Sequence, residues 1–179
     1  MKPIPNFDNI TPTADRERLA PGGYVLKITD VEDFPNKEYL RIIYDIAEGP
    51  EAGRYADEWG TEHPYAHAYL RSYKAEEWIV RRFKAFINAV EDSNEGFKWA
   101  WNESKLEGLI FGAVLALEEY ENDRGEVKTR LYIPAVMSAE RIRTGDYTVP
   151  PVKKLPRDPM KPAGDVAFGE PITDEQIPF

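Results

Sequence analysis

Lys27, Tyr39, Arg41, Tyr55 and Trp59 are spread through the apolar stretches between residues 24 and 59, and Arg71, Tyr73 and Lys74 follow shortly after. Aromatic faces stack on flat rings such as nucleobases, and cations follow a phosphate backbone; these are the two grips a single nucleic-acid strand offers. The approach His63-Pro-Tyr-Ala-His-Ala-Tyr-Leu-Arg-Ser-Tyr-Lys74 is both aromatic and basic, and residues 71–84 carry five bases against two acids. A competing use of the same residues is packing. Tyr65, Tyr69 and Tyr73 recur every four residues, a spacing that also lays tyrosines along one helix face, and Tyr39 and Tyr55 could pair across strands with Trp59 filling one end of a core.

A second constellation lies in residues 164–179. Asp165, Glu170, Asp174 and Glu175 occur there without a base, followed by Ile177-Pro178-Phe179. Large apolar side chains behind a run of acids make a lure for a basic, apolar pocket, with Asp174, Glu175, Ile177, Pro178 and Phe179 as the partner-binding residues. Otherwise Ile177 and Phe179 would pack back on the domain.

Catalytic chemistry finds little support. The chain has no cysteine, which excludes disulfides, thiol nucleophiles and thiolate metal sites. His63 and His67 with Asp57, Glu58 and Glu62 are zinc-type donors, but their order matches no metal motif, so no metal and no cofactor is expected. No glycine-rich phosphate loop, nucleophile elbow or triad occurs. The acids Glu32, Asp33, Glu118, Glu119 and Glu121 read as solvated strand edges. The expectation is a protein that is not an enzyme.

The elements that would position these residues lie between about Gly22 and Arg143. Tyr24 to Val31 alternates as a strand, Pro35-Asn36-Lys37 turns, and Tyr39 to Ala47 forms a second strand. Its Leu40, Ile42, Tyr44 and Ile46 share one face, with Tyr39, Arg41, Ile43 and Asp45 on the other; Lys27 is outward on the first strand. Glu48-Gly49-Pro50 and Gly53 break the chain before a short third strand, Arg54 to Trp59. The period then lengthens: Ile79, Phe83, Phe86, Ile87 and Val90 form one helical stripe, with Ser72 as a candidate cap and Ser93-Asn94-Glu95-Gly96 as the stop. Leu109 to Tyr120 is a continuous apolar strand, Asn122-Asp123-Arg124-Gly125 a hairpin turn, and Val127 to Val136 the last strand. The fold expected is mainly β with one main helix. Five strands with the helix between the third and fourth follow the element order of an OB-fold-like five-stranded barrel, a helix-on-sheet fold of the same order being the alternative.

Pro-rich arms flank this unit. The organisation is an N-terminal arm (1–21), an OB-like domain (22–144), a Pro-rich linker (145–169) and an acidic tail (170–179). At 179 residues, 42% hydrophobic and 31% charged, the chain is a soluble domain with flanking segments. No apolar run approaches the ~20 residues of a membrane helix, and Met1 to Asp8 lacks a signal-peptide core. A cytoplasmic protein that contacts no membrane is expected. The net charge of −9 opposes non-specific attraction to nucleic acid. It is unevenly spread: the linker from Pro150 to Ala163 carries +3, the tail from Gly164 carries −4, and residues 1–149 carry −8. Any DNA site must then be a local patch on an acidic body.

Several segments together resemble a family of small phage and mobile-element proteins of Gram-positive bacteria regarded as single-stranded DNA-binding proteins. They are Ile4-Pro-Asn-Phe-Asp8, Pro21-Gly-Gly-Tyr24, Glu38-Tyr-Leu40 with Tyr44-Asp-Ile46, Ser72-Tyr-Lys74, Ala89-Val-Glu-Asp-Ser-Asn94, Glu118-Glu-Tyr120, Arg141-Ile-Arg143 with Gly145-Asp146, and the Ile-Pro-Phe ending. That ending also resembles the acidic tail of bacterial single-stranded DNA-binding proteins, with fewer consecutive acids. The resemblance implies a non-catalytic protein that coats single-stranded DNA in phage or mobile-element replication and recombination. It also implies recruitment of host or phage replication and recombination proteins through the tail, inside a bacterial cell, with self-association left open. The alternative is an OB-like adaptor that binds a replication or defence protein and not DNA.

Overall fold

A computed structural model describes residues 18–56, 67–70 and 76–156, for 67–70 the backbone alone. The chain is mainly β with one main helix. It runs β1 (Gly22–Phe34), β2 (Tyr39–Ile46), β3 (His67–Leu70), α1 (Glu77–Ser93), β4 (Ile110–Glu121), β5 (Val127–Met137) and α2 (Ala139–Arg143). The strands form one antiparallel sheet in the order β3-β2-β1-β4-β5. A pairing of β3 with β5, which would close a barrel, is not among the described pairings.

Local chemistry accounts for the element ends. Between β1 and β2 the chain makes a 3₁₀ turn, Pro35–Lys37, whose proline presets φ, and Glu38 leaves it in a left-handed conformation at φ 60°. Helix α1 buries Ile79, Phe83, Phe86, Ile87 and Val90, the stripe that the spacing predicts. Burial of each such side chain stabilises the fold by about 1.5–3 kcal/mol. The expected cap Ser72 lies outside the described residues, and Glu76 occupies the cap position without a side-chain bond. The helix stops where the Asn94 amide donates to Val90 O and Ile110 O, both at 2.7 Å, and accepts from Ile110 N–H at 3.1 Å. One side chain thereby ties the end of α1 to the start of β4. The β4–β5 hairpin closes on Asn122 Oδ1, which accepts from the N–H groups of Arg124 and Glu126 at 3.0 and 2.9 Å.

Alternation divides the sheet into two faces. The inner face carries Leu26, Ile28, Leu40, Ile42, Ile46, Phe111, Ala113, Leu115 and Ile133, packed with Phe83, Phe86, Ile87 and Val90 of α1 and with Leu106. Tyr44 packs against this cluster. The core face expected for β2 is therefore the observed one. The outer face carries Val25, Lys27, Arg41, Ile43, Val114, Ala116 and Glu118. Two irregularities preserve the faces. Thr29 is an extra residue of β1 between the pairs Ile28–Tyr44 and Asp30–Ile43. On β5, the extra residue between the partners of Val114 and Ala116 falls where Pro134, which lacks an N–H, is tolerated at the margin of the sheet.

Three expectations are corrected. The third strand is His67–Leu70, and the strand expected from Arg54 is not formed over residues 54–56: residues 51–56 turn back on Asp45, whose buried carboxylate accepts from Tyr55 N–H at 3.0 Å, and residues 57–59 lie outside the described residues. Because His67–Leu70 is extended, Tyr69 is not on a helix, while Tyr65 and Tyr73 lie outside the described residues. The chain also stays on the sheet past the expected domain end at residue 144. Gly112 of β4 lies against Ile142 of α2, and Gly23 of β1 lies against the ring of Tyr147. Lys153 then pairs in parallel with β4 beyond the point where β1 begins, donating to Leu117 O at 2.9 Å and accepting from Glu119 N–H at 2.8 Å. Residues 145–155, expected to be linker, form a strap along the sheet, Tyr147 against the outer face and Lys153 beside β4. No helix among the described residues is long and apolar enough to cross a membrane.

Candidate nucleic-acid interface

The outer face of β1 and β2 holds three of the residues expected to grip a strand. Lys27 is exposed, opposite Asp45 on β2 and Ile110 on β4. Tyr39 pairs with Phe34 across the turn, the two rings 5.2 Å apart and tilted by 40°. The Arg41 guanidinium lies 5.6 Å over the Phe34 ring and gives its Nε to Glu32, the residue directly opposite it in register. Lys27, Tyr39 and Arg41 thus share one face, as alternation requires, but their surroundings differ. Tyr39 is only 9% exposed, so most of its ring already has protein contacts. Arg41 spends part of its charge on Glu32, and Asp30 neighbours them on the same face.

Tyr55 is elsewhere. It is buried in the inner core cluster, because the Gly49–Gly53 turn sends the chain back beneath β2, with Gly53 N–H donating to Ile46 O at 2.9 Å. It is not part of the outer-face groove. Trp59, Arg71, Tyr73 and Lys74 lie outside the described residues, as do Asp174, Glu175, Ile177, Pro178 and Phe179. So do Asp57, Glu58, Glu62 and His63, and His67 contributes only its backbone to β3. Among the described residues, no cluster of donors could hold a metal ion.

Two features went unread in the sequence. Glu118, which reads in the sequence as a solvated edge, is only 5% exposed and accepts from Arg130 Nε at 2.8 Å and Lys153 Nζ at 3.3 Å. The signal was there: Glu118 follows Val114 and Ala116 at alternate positions of an apolar strand, so its side chain had to share their buried face. The other feature is Phe97 to Trp101, which runs back along α1 after the helix ends. The Trp101 ring stacks on Phe83 at 6.3 Å and meets Trp99 at 6.1 Å, yet it is 80% exposed and its backbone sits at φ 57°. A left-handed conformation is costly for so bulky a residue. Two tryptophans at i, i+2 just after a helix stop were the available clue.

An ion pair on the surface joins α2 to the loop after β2. Arg143 donates to both Glu48 oxygens, at 3.1 and 2.6 Å. Hydrogen bonding from Arg143 holds the Glu48 carboxyl below the usual carboxylate range, and the same bond raises Arg143. No family model matches the chain, and no curated protein matches it.

Proposed function

We propose that this chain is a non-catalytic single-stranded DNA-binding protein of the cytoplasm of a bacterial host cell. It would support phage or mobile-element replication and recombination, recruiting replication and recombination proteins through residues 170–179. The observation that carries the reading is the outer face of β1 and β2, where Arg41 lies over the Phe34–Tyr39 ring pair and Lys27, opposite Asp45, lies on the same face four residues of β2 farther along. Cations beside aromatic rings on one sheet face are the components of a single-strand groove. The strand order supports an OB-like barrel, since one further pairing, β3 with β5, would close it with α1 between the third and fourth strands. Fold alone does not give function, so the test is direct. A fluorescence titration with a 30-nucleotide oligo-dT is expected to give binding at low salt, in preference to duplex. Four phosphate contacts give a log–log salt slope of about −3, at ~0.7 per contact. No binding at low salt refutes the proposal.

Trp101 favours a second reading, the OB-like adaptor that binds a replication or defence protein without DNA. Exposed tryptophans are frequent anchors of protein interfaces, and the acidic body from residue 1 to 149 suits a protein partner better than a polyanion. The same titration separates the two: an adaptor leaves oligo-dT unbound while retaining a protein partner that Trp101→Ala releases.

A further inference from the structure

The outer face of the sheet carries a second group of cations and rings, at the end far from the β1–β2 turn. Tyr120 is on β4, Arg130 and Tyr132 are on β5, and Lys153 is on the strap. The Arg130 guanidinium carbon lies 5.2 Å from the centre of the Tyr120 ring, and Lys153 Nζ lies 5.6 Å from the centre of the Tyr132 ring. Both cations converge on the buried Glu118 carboxylate, one on each oxygen.

We propose that Tyr120, Arg130, Tyr132 and Lys153 form a contact site for single-stranded DNA, the cations taking phosphates and the rings taking bases; this rests on the DNA-binding reading above. Three observations carry it. First, the donors are not used up. Arg130 spends only Nε on Glu118, its two amino groups have no partner among the described residues, and the side chain is 44% exposed. A guanidinium held by Nε and by a ring beneath it presents the remaining fork, the geometry suited to a phosphate. Lys153, 55% exposed, spends one N–H on a bond of 3.3 Å and keeps two.

Second, the patch has an excess of positive charge. One carboxylate faces two cations, and Lys128 joins them from the same face of β5. By alternation Glu119 and Glu121 belong to the opposite side of β4, and Glu119 accepts from Leu155 N–H at 3.2 Å. Glu126, in the hairpin, pairs with Lys128 at 3.2 Å. Third, a purely structural role explains only half the arrangement. Latching the strap to the sheet needs Lys153 and Glu118, and it needs neither Arg130 nor Tyr120. Glu118 is then a positioning residue that sets both cations at a fixed spacing in front of two rings.

The experiment is an oligo-dT titration of the full chain across a salt series, comparing the native protein with Arg130→Gln, Tyr132→Leu, Glu118→Gln and the Arg130→Gln/Lys153→Gln pair. Losing two phosphate contacts should lower the magnitude of the salt slope by about 1.4, at ~0.7 each. Tyr132→Leu should weaken binding about 5- to 100-fold without altering the slope, the range for loss of one stacked base. Glu118→Gln should loosen both cations and weaken binding several-fold while the slope is retained. Melting curves of each variant, recorded without DNA, identify any that fail to fold; Arg130→Gln, which leaves Lys153 paired with the buried Glu118, is the variant expected to pass this check. If the native chain binds and Arg130→Gln keeps both affinity and slope, this site is refuted and the DNA-binding reading stands. If the native chain does not bind at all, the reading and this site fall together.

Discussion

Gly23 lies so close to the strap that a single methyl group tests whether the strap belongs to the fold. A Cβ built there would sit 2.5, 2.6 and 2.9 Å from three atoms of the Tyr147 ring. Carbon atoms settle at about 3.5–4.0 Å, so the ring must retreat by about 1 Å or leave. Gly23 pairs with Val114 inside β1 and is not held in a left-handed conformation, so alanine meets no backbone obstacle of its own. Two terms then oppose each other. Overpacking costs about 1–3 kcal/mol, and replacing glycine by alanine stabilises by about 0.4–1 kcal/mol through the unfolded chain. Gly23→Ala should be a net loss of about 1–2 kcal/mol, a fall in melting temperature of roughly 2–8 °C at ~2–4 °C per kcal/mol for a chain of this size. The decisive comparison is with Tyr147→Ala as background. Once the ring is gone, the methyl group has room and only the favourable term remains, so Gly23→Ala should raise the melting temperature slightly. The assay is thermal denaturation of the four proteins of that cycle, followed by circular dichroism. An equal loss in both backgrounds would refute the contact, and with it the packing of Tyr147 on the outer face.

Ile42→Ala, in the centre of the core, should cost about 2–5 kcal/mol in chemical denaturation, whereas Arg41→Ala should cost only about 1 kcal/mol through its part-exposed pair with Glu32 and should weaken oligo-dT binding; the reverse order would mean that β2 is out of register by one residue. Arg143→Ala should lower the melting temperature near neutrality. Because the folded Glu48 carboxyl is depressed, its contribution is present above the usual carboxylate pKa and disappears as pH falls through the lower folded value. The gap between native and Arg143→Ala melting temperatures should therefore close below about pH 4, and a gap that persists unchanged at pH 3 would count against the Glu48–Arg143 bond. Deleting residues 170–179 should leave the melting temperature unchanged and abolish co-purification of a partner from host lysate, with Phe179→Ala reproducing most of that loss; identical partner profiles would remove the tail from the proposed function.

Sequence periodicity was legible wherever one side of an element had to be apolar. Leu40, Ile42 and Ile46 announce their face at period two, and Ile79, Phe83, Phe86, Ile87 and Val90 at period 3.6. It misled where pairing does not depend on side-chain pattern. His67–Leu70 is four residues long and lies among tyrosines spaced as on a helix, so its extended backbone left no mark. Tyr55 sits in a stretch composed like a strand, but the acceptor that draws the chain back is Asp45, ten residues earlier. The strap joins β4 through main-chain bonds at Lys153, which no hydropathy pattern encodes, and its prolines read as linker. Of the expected DNA contacts, Lys27, Tyr39 and Arg41 share the outer face, and Tyr55 does not. Glu118, Arg130 and Lys153 come from three separate segments, so their meeting depended on strand register that a single sequence does not print.

Anchoring Lys153 and Leu155 to β4 shortens a leash. From Leu155 to Ile177 there are 22 residues, against 34 from Arg143. A fully extended chain spans at most ~3.3–3.6 Å per residue, so the strap cuts the farthest reach of the Ile-Pro-Phe element from roughly 115 Å to roughly 75 Å. Effective concentration falls with about the −3/2 power of tether length. For a flexible tether the shorter leash corresponds to about a twofold higher local concentration of that element around the sheet, and undoing the main-chain bonds between Lys153 and β4 would lengthen it again.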